Sequence, residues 1–253
     1  MAERVTVRGR ALEVARWGAG AGPTILLLHE GLGCTALWRD FPVRLTAETG
    51  LPVAAYSRAG YGQSDAAPLP WPLDYMQREA RETLGPLIDA LALEEVILMG
   101  HSDGASIAAV YAGEMADPRV KGLILMAPHV FTEAMGLAEI AVAKTVYETT
   151  DMRAKMAKYH RDPDNAFRGW NDAWLDPAFQ DWNIEDAILG ISVPTLAIQG
   201  AGDQYGTLAQ IDAIETAITA PFLRLVLPAC RHAPHLEAPA ATLDAVARFV
   251  ETL

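Results

Sequence analysis

The stretch ILMGHSDGAS, residues 97–106, sets an imidazole, a hydroxyl and a carboxylate side by side at His101, Ser102 and Asp103. A serine or a carboxylate can attack an electrophilic carbon once activated, and a histidine can act as its base. Spacing narrows the choice. Gly100-His101-Ser102-Asp103-Gly104 follows the apolar run VILM and precedes GASIAAVYAGEMA, which is rich in small residues and reads as a helix. Gly-x-Ser-x-Gly between a strand and a helix is the nucleophile-elbow pattern, in which the central residue attacks from a sharp turn. Larger side chains two residues before or after the turn would collide with strand and helix. The attacking position is therefore Ser102. Asp103 stands one residue into the helix, so its side chain diverges from the nucleophile. Its backbone N–H, at the positive end of the helix, points toward a developing oxyanion. The Asp103 carboxylate equally suits the first helical turn as a structural feature. His101 lies on the other side of the turn from Ser102 and reads as a structural or pocket-wall residue.

A serine hydroxyl needs a base, and the base needs an orienting acid. Each is expected in a loop that follows a strand. After TLAIQ comes GAGDQYG, which supplies Asp203; after FLRLVLP comes ACRHAPHLEAP, which supplies His232 and His235. The order serine, acid, histidine fits an elbow serine, and either histidine offers the imidazole. Met126, Pro128 and His129 lie at the carboxyl end of the strand read in VKGLILMAP and should approach the site from the side, His129 as a wall residue.

These residues must be carried by a scaffold. RVTVRG and ALEVARWG read as two strands joined at Gly9. TILLLH, PVAAYS, EVILMG, VKGLILMAP, PTLAIQG and FLRLVLP read as further strands. Between them fall helical patterns: ALWRDFPVRLTAE, then DYMQREARETLGPLIDAL with Asp74 as N-cap and Pro86 as a local disturbance, then GASIAAVYAGEMA, TLAQIDAIETAI and ATLDAVARFVETL. Strand and helix alternate, which predicts the α/β class: a mostly parallel sheet with helices on both faces. From about 131 to 190 no strand is evident. That stretch is too long for one crossover helix, so residues 131–190 are expected to form a helical cap over a core made of 1–130 and 191–253. Phe167, Trp170, Trp174, Phe179 and Trp182 lie in it. Trp170 and Trp174 are candidates for a substrate wall, while most of these rings are expected to pack between cap and sheet.

On these residues the chain resembles the α/β-hydrolase superfamily, in its lid-bearing, esterase-like form, over essentially its whole length. The resemblance rests on His29-Glu30-Gly31-Leu32-Gly33, Gly60-Tyr61-Gly62-Gln63-Ser64, the Ser102 elbow, Asp203 and His232. It implies that His232 is the base, since Glu237-Ala238-Pro239 supplies the tail that follows the catalytic histidine in such proteins, although Arg231 replaces the usual glycine. It implies that the backbone N–H of Gly31 joins that of Asp103 as an oxyanion donor. Glu30 stands where glycine is usual. It either meets a polar substrate group or a water, or turns away and anchors its loop, as loop carboxylates commonly do. Ser57-Arg58-Ala59-Gly60 departs from the frequent Asp-x-x-Gly, with structural consequences expected. Dehalogenases and epoxide hydrolases of this fold carry aspartate at the elbow centre, where this chain has Ser102. The implied activity is a serine hydrolase acting through an acyl-enzyme on small carboxylic esters. Cleavage of C–C bonds, lactones or thioesters is the alternative within the fold, and a non-enzymatic ligand receptor the alternative outside it.

The 253 residues are 51% hydrophobic, enough for one sizeable core. The net charge of −12 and the absence of a basic run argue against a nucleic-acid partner. No apolar run reaches membrane-spanning length. The opening MAERVTVRGRALEVARWG has no signal-like apolar segment, so a cytoplasmic protein with a small-molecule substrate is expected. Gly18-Ala19-Gly20-Ala21-Gly22 precedes its strand and is no dinucleotide fingerprint. Cys34 and Cys230 have no metal-type spacing. Neither cofactor nor metal is expected.

Overall fold

Runs such as TILLL are too short for helices and apolar on both faces, which suits central parallel strands. In the computed structural model, which describes residues 3–253, such runs assemble into one sheet. Its strands are β1 (Glu3–Val7), β2 (Arg10–Trp17), β3 (Thr24–Leu28), β4 (Val53–Tyr56), β5 (Val96–His101), β6 (Val120–Met126), β7 (Thr195–Gly200) and β8 (Phe222–Leu227). They lie in the order β1-β2-β4-β3-β5-β6-β7-β8. The β1–β2 and β2–β4 pairs are antiparallel and the rest parallel. The helices are α1 (Phe41–Thr49), α2 (Tyr75–Arg78), α3 (Gly85–Ala90), α4 (Asp103–Glu114), α5 (Ala134–Thr149), α6 (Met152–Met156), α7 (Pro163–Trp174), α8 (Glu185–Ile188), α9 (Ala209–Ala217), α10 (Pro234–Glu237) and α11 (Pro239–Val250).

Successive strand residues face opposite layers. Ile25, Leu27, Ile97 and Met99 pack with Phe41 and Leu45 of α1 and with Val246 and Phe249 of α11. Leu26, Leu28 and Leu98 pack with Leu87 of α3 and Ile107 of α4 on the other side. Each such side chain contributes about 1.5–3 kcal/mol when fully buried, so the strand register is strongly specified. Between β6 and β7 the described elements are the helices α5 to α8 and a short 3₁₀ turn, with one isolated bridge, Phe131 to Asn183. Among the described residues no helix is long and apolar enough to cross a membrane.

Two helices depart from their sequence pattern. The run from Ala36 is not continuous: a 3₁₀ turn, Thr35–Trp38, ends at Arg39 with φ 53°, and α1 starts afresh at Phe41. The run from Asp74 contains a π segment, Glu79–Leu84, immediately before Gly85 and Pro86. Proline has no N–H for the ladder, and a wider turn absorbs the mismatch. Asp74 precedes α2 but does not cap it; its carboxylate accepts from Arg78 Nε at 2.8 Å.

The helix that follows β5 is pressed onto the sheet. A Cβ at Gly104 would run into the carbonyl group of Leu28, and one at Gly100 into the backbone of Gly104 and Ala105. This proximity brings the start of α4 against the end of β3. Gly104→Ala is therefore expected to lower the unfolding free energy by about 1–3 kcal/mol, measured by urea denaturation. A loss below about 0.5 kcal/mol, the scale of a neutral surface change, would show that α4 can stand off the sheet at no cost.

Candidate active site

The loops at the carboxyl ends of the parallel strands gather at one edge of the sheet, where ligands bind in open α/β folds. There the loops after β3, β5, β6, β7 and β8 deliver His29–Gly31, Ser102, His129, Asp203 and His232. A cavity of about 190 Å³ is lined by Glu30, Gly31, Ser102, Asp103, His129, Trp170, Trp174 and His232, all anticipated from the sequence, and by Leu32, Ile140 and Tyr205, which were not. Asp203 lies behind His232. A larger cleft of about 320 Å³ opens near Arg8, Trp71 and Glu79, but the Ser102 and His232 side chains do not reach it.

Ser102 is 6% exposed and adopts φ 54°, ψ −122° at the N-cap of α4, a left-handed strain that turns its side chain out of the strand. Its N–H donates to the Met126 carbonyl at 2.9 Å, while Ala105 and Ser106 donate back to the Ser102 carbonyl at 2.8 and 3.0 Å. The N–H groups of a first helical turn have no intrahelical acceptor, and Asp103 holds the first such position.

Asp203 and not a neighbour meets the imidazole. Its carboxylate oxygens lie 2.8 and 2.9 Å from His232 Nδ1. Gln199 Nε2 and the Tyr205 N–H each donate to it at 2.8 Å. Burial works to raise the Asp203 carboxyl, but the His232 contact and the Tyr205 N–H outweigh it and hold the group below the usual range. With Nδ1–H given to Asp203, His232 keeps a lone pair on Nε2. The loop bearing His232 is clamped by Glu237, which accepts from the Arg231 and Ala233 N–H groups at 2.9 and 3.0 Å. The family resemblance marked Glu237 only as part of a tail. His235 packs instead between Trp38 and Phe41, with ring centroids 4.9 and 5.5 Å away.

Arg58 carries more of the site than its sequence position suggested. It is 3% exposed and donates from Nη1 to the His29 carbonyl at 2.5 Å and from Nη2 to the Glu30 carbonyl at 3.1 Å. Its main-chain N–H donates to His29 Nε2 at 3.1 Å. The same Nη2 lies 3.7 Å from Asp103 Oδ2, which also accepts from the Tyr75 hydroxyl. Burial pushes the Asp103 carboxyl up, against the pull of Arg58 and Tyr75. In a trans peptide the N–H opposes the carbonyl, so with the Glu30 carbonyl turned to Arg58 the Gly31 N–H faces away from it. The Gly31 carbonyl accepts from the Tyr61 hydroxyl at 2.6 Å, and the Trp170 indole occupies the space a Cβ on Gly31 would need.

Glu30 does not anchor its loop through nearby backbone. Its carboxylate lies 3.7 Å from Nδ1 of His101, whose Nε2 lies 2.7 Å from the His232 carbonyl. His129 forms part of the wall against Trp174, ring centroids 5.2 Å apart, with its backbone held by Ser106 Oγ. Of the five aromatic residues noted between 131 and 190, Phe167, Phe179 and Trp182 belong to the buried core and do not line the cavity.

Two predictions test these electrostatics. Arg58→Met would leave Asp103 buried without its cation, an expected loss of about 3–5 kcal/mol in urea unfolding. Adding Asp103→Asn should return part of it; simple additivity would refute the pairing. Burial also pushes His129 and His235 down to about 3 from an ordinary 6.5. Their folded values lie below their unfolded ones, so the unfolded chain takes up protons first. Stability is full above about pH 6.5 and falls as the pH drops toward 3. Each such histidine adds a slope of about 1.4 kcal/mol per pH unit. His235→Phe should flatten the measured slope by about that amount between about pH 6 and 4, and an unchanged slope would remove His235 from the account.

Residues 25–245 match the alpha/beta hydrolase family. A human protein named serine hydrolase BPHL is 26% identical over 247 residues, 92% of this chain and 80% of that one. Epoxide hydrolase 2 of Siraitia grosvenorii is 30% identical over 129 residues, half of this chain, and the match spans only 39% of that protein's length. Among solved structures, proline iminopeptidase from Mycobacterium smegmatis superposes with a TM-score of 0.79 at 19% identity, covering 100% of this chain and 98% of that one. An esterase from Exiguobacterium antarcticum superposes at 0.78 and 21% identity, covering 99% and 100%. With a match that runs from the first parallel strand into the last helix, the chain belongs to the alpha/beta hydrolase family.

Proposed function

We propose that the protein is a serine hydrolase of small carboxylic esters that works through an acyl-enzyme. One observation carries the reading: Ser102, in a strained turn at the start of α4, shares a cavity with a histidine whose Nδ1 is 2.8 Å from a buried carboxylate. Ser102 Oγ attacks the acyl carbon and His232 Nε2 takes its proton. The tetrahedral oxyanion is met by the N–H groups of Gly31 and Asp103, a term of about 3 kcal/mol per donor in other enzymes. Collapse expels the alcohol, which receives the proton from His232. A water, deprotonated by His232, then attacks the acyl-serine, and the acid leaves with Ser102 restored. Asp203 keeps the proton on Nδ1 and stabilises the imidazolium.

The cavity supports a small, neutral acyl group. At about 190 Å³ it is below the ~300–1,000 Å³ of sites for drug-sized ligands. Its carboxylates, Asp103 and Glu30, each face a basic group, Arg58 and His101. In this reading residues 131–190 act as a cap whose Ile140, Trp170 and Trp174 close the cavity. The central Ser102 argues against the aspartyl-ester route implied for epoxide hydrolases of this fold.

Short p-nitrophenyl esters, matched lactones and C–C cleavage substrates should be turned over fastest as the esters, with a fluorophosphonate adduct on Ser102. Ser102→Ala should abolish both, and Asp203→Asn should lower kcat by roughly 10⁴-fold, as in serine proteases. Turnover surviving Ser102→Ala would sink the nucleophile. Faster lactone or C–C cleavage would move the substrate class and leave the nucleophile in place.

A further inference from the structure

The hydrogen bond between His101 and the His232 carbonyl fixes a proton. A carbonyl has none to give, so the 2.7 Å contact is donated by His101 Nε2. The other nitrogen, Nδ1, is buried, makes no hydrogen bond, and lies 3.7 Å from Glu30 Oε2. A lone pair there would face a carboxylate; a second proton turns the contact into an attraction. Burial works to raise the Glu30 carboxyl, yet contact with His101 holds it well below the usual carboxylate range.

We propose that Glu30 and His101 form a carboxylate–imidazolium pair, which holds the carbonyl of His232 and so ties the loop carrying Gly31 to the base. The inference rests on the reading of His232 as the base. It makes Glu30 and His101 positioning residues, acting through the backbone of His232 and Gly31.

The surroundings leave this role to His101. Arg58 directs its Nη donors to the His29 and Glu30 carbonyls and its charge to Asp103, not to the Glu30 carboxylate. Burial drives His29, His129, His160 and His235 toward the neutral form, so none supplies the cation that Glu30 faces. On the same loop the Cys34 thiol is pushed up to about 12, and across it burial also raises the Tyr61 hydroxyl, so neither brings a second negative charge. His232, ring centroid 5.1 Å from His101, gives Nδ1–H to Asp203.

The test is ¹⁵N NMR of the histidine side chains in the resting protein at neutral pH, alongside ester kinetics. His101 should carry protons on both ring nitrogens. In Glu30→Gln it should keep only the Nε2 proton, with the introduced side-chain amide able to donate to Nδ1. Glu30→Ala is expected to shift the His232 ring and Gly31 amide signals and to lower kcat by roughly 10–100-fold, the usual cost of losing an orienting partner, with little change in KM. Glu30→Gln, which preserves a contact without charge, should recover part of that loss, whereas Glu30→Leu, which fills the space without a polar group, should not. A singly protonated His101 in the unaltered protein, or unmoved His232 and Gly31 signals in a folded Glu30→Ala, would overturn the pair. The NMR arm needs no turnover. If esters are not cleaved, it still decides the pair, and only the ester-hydrolase reading fails.

Discussion

A buried guanidinium fixes how the separate parts of the site meet. Removing an arginine from water costs several kcal/mol unless its donors and its charge are matched. Arg58 finds its partners in one arrangement: two donors on successive carbonyls after β3 and its charge beside Asp103 at the start of α4, with Nε left unpartnered. Its ring neighbour Tyr61, 4.8 Å from the guanidinium carbon, returns a hydroxyl to the Gly31 carbonyl. The loops after β3 and β4 and the first turn of α4 are thus held in one mutual placement. His29 completes the joint, since its Nδ1–H serves the Glu30 carbonyl at 2.7 Å and its Nε2 accepts the Arg58 N–H.

Rigidity around Ser102 follows from packing and polar clamps together. A left-handed non-glycine residue costs on the order of 1–3 kcal/mol and persists only where its surroundings over-determine it. Here the backbone bond to Met126 on one side and the close seat of α4 on β3 on the other leave the turn no alternative. The histidine loop is set by a different device. Glu237 takes the N–H groups on either side of His232, so the residue between them is presented from a closed ring.

What could be read in the sequence is what is local. Apolar runs announced the strands, and Gly100 and Gly104 announced the turn because their steric reason lies within a few residues. Continuity of the helices was harder to see: nothing in ALWRDFPVRLTAE marks Arg39 for a positive φ, which the seating of Trp38 and Phe41 on one core face accompanies. Glu30 shows the larger limit. Spacing placed it in the loop after β3 and left its partner open, whereas His101 stands 71 positions away and meets it only because β3 and β5 are neighbours in the sheet. Arg58 was legible as a departure from a common pattern. Its partners were not, since they come from two other loops whose adjacency follows from strand order alone.

The helices between β6 and β7 are bonded into this same frame. Asp162 caps α7 by accepting the Asn165 N–H at 3.0 Å, with Pro163 at the first turn. Trp170 and Trp174 are one helical turn apart and share a face. Trp170 covers Gly31, and Trp174 donates from Nε1 to the Tyr75 hydroxyl at 2.9 Å. Tyr75 in turn donates to Asp103, and Asp103 pairs with Arg58. A continuous polar line therefore runs from α7 through the start of α4 to the carbonyls beside Gly31. The cavity wall on α7 and the loop that carries Gly31 are joined by hydrogen bonds and an ion pair inside the protein. A shift of α7 that enlarged the cavity would break the Tyr75 contact or drag Asp103 with it, so the size of the cavity is set by the same interactions that fix the elbow.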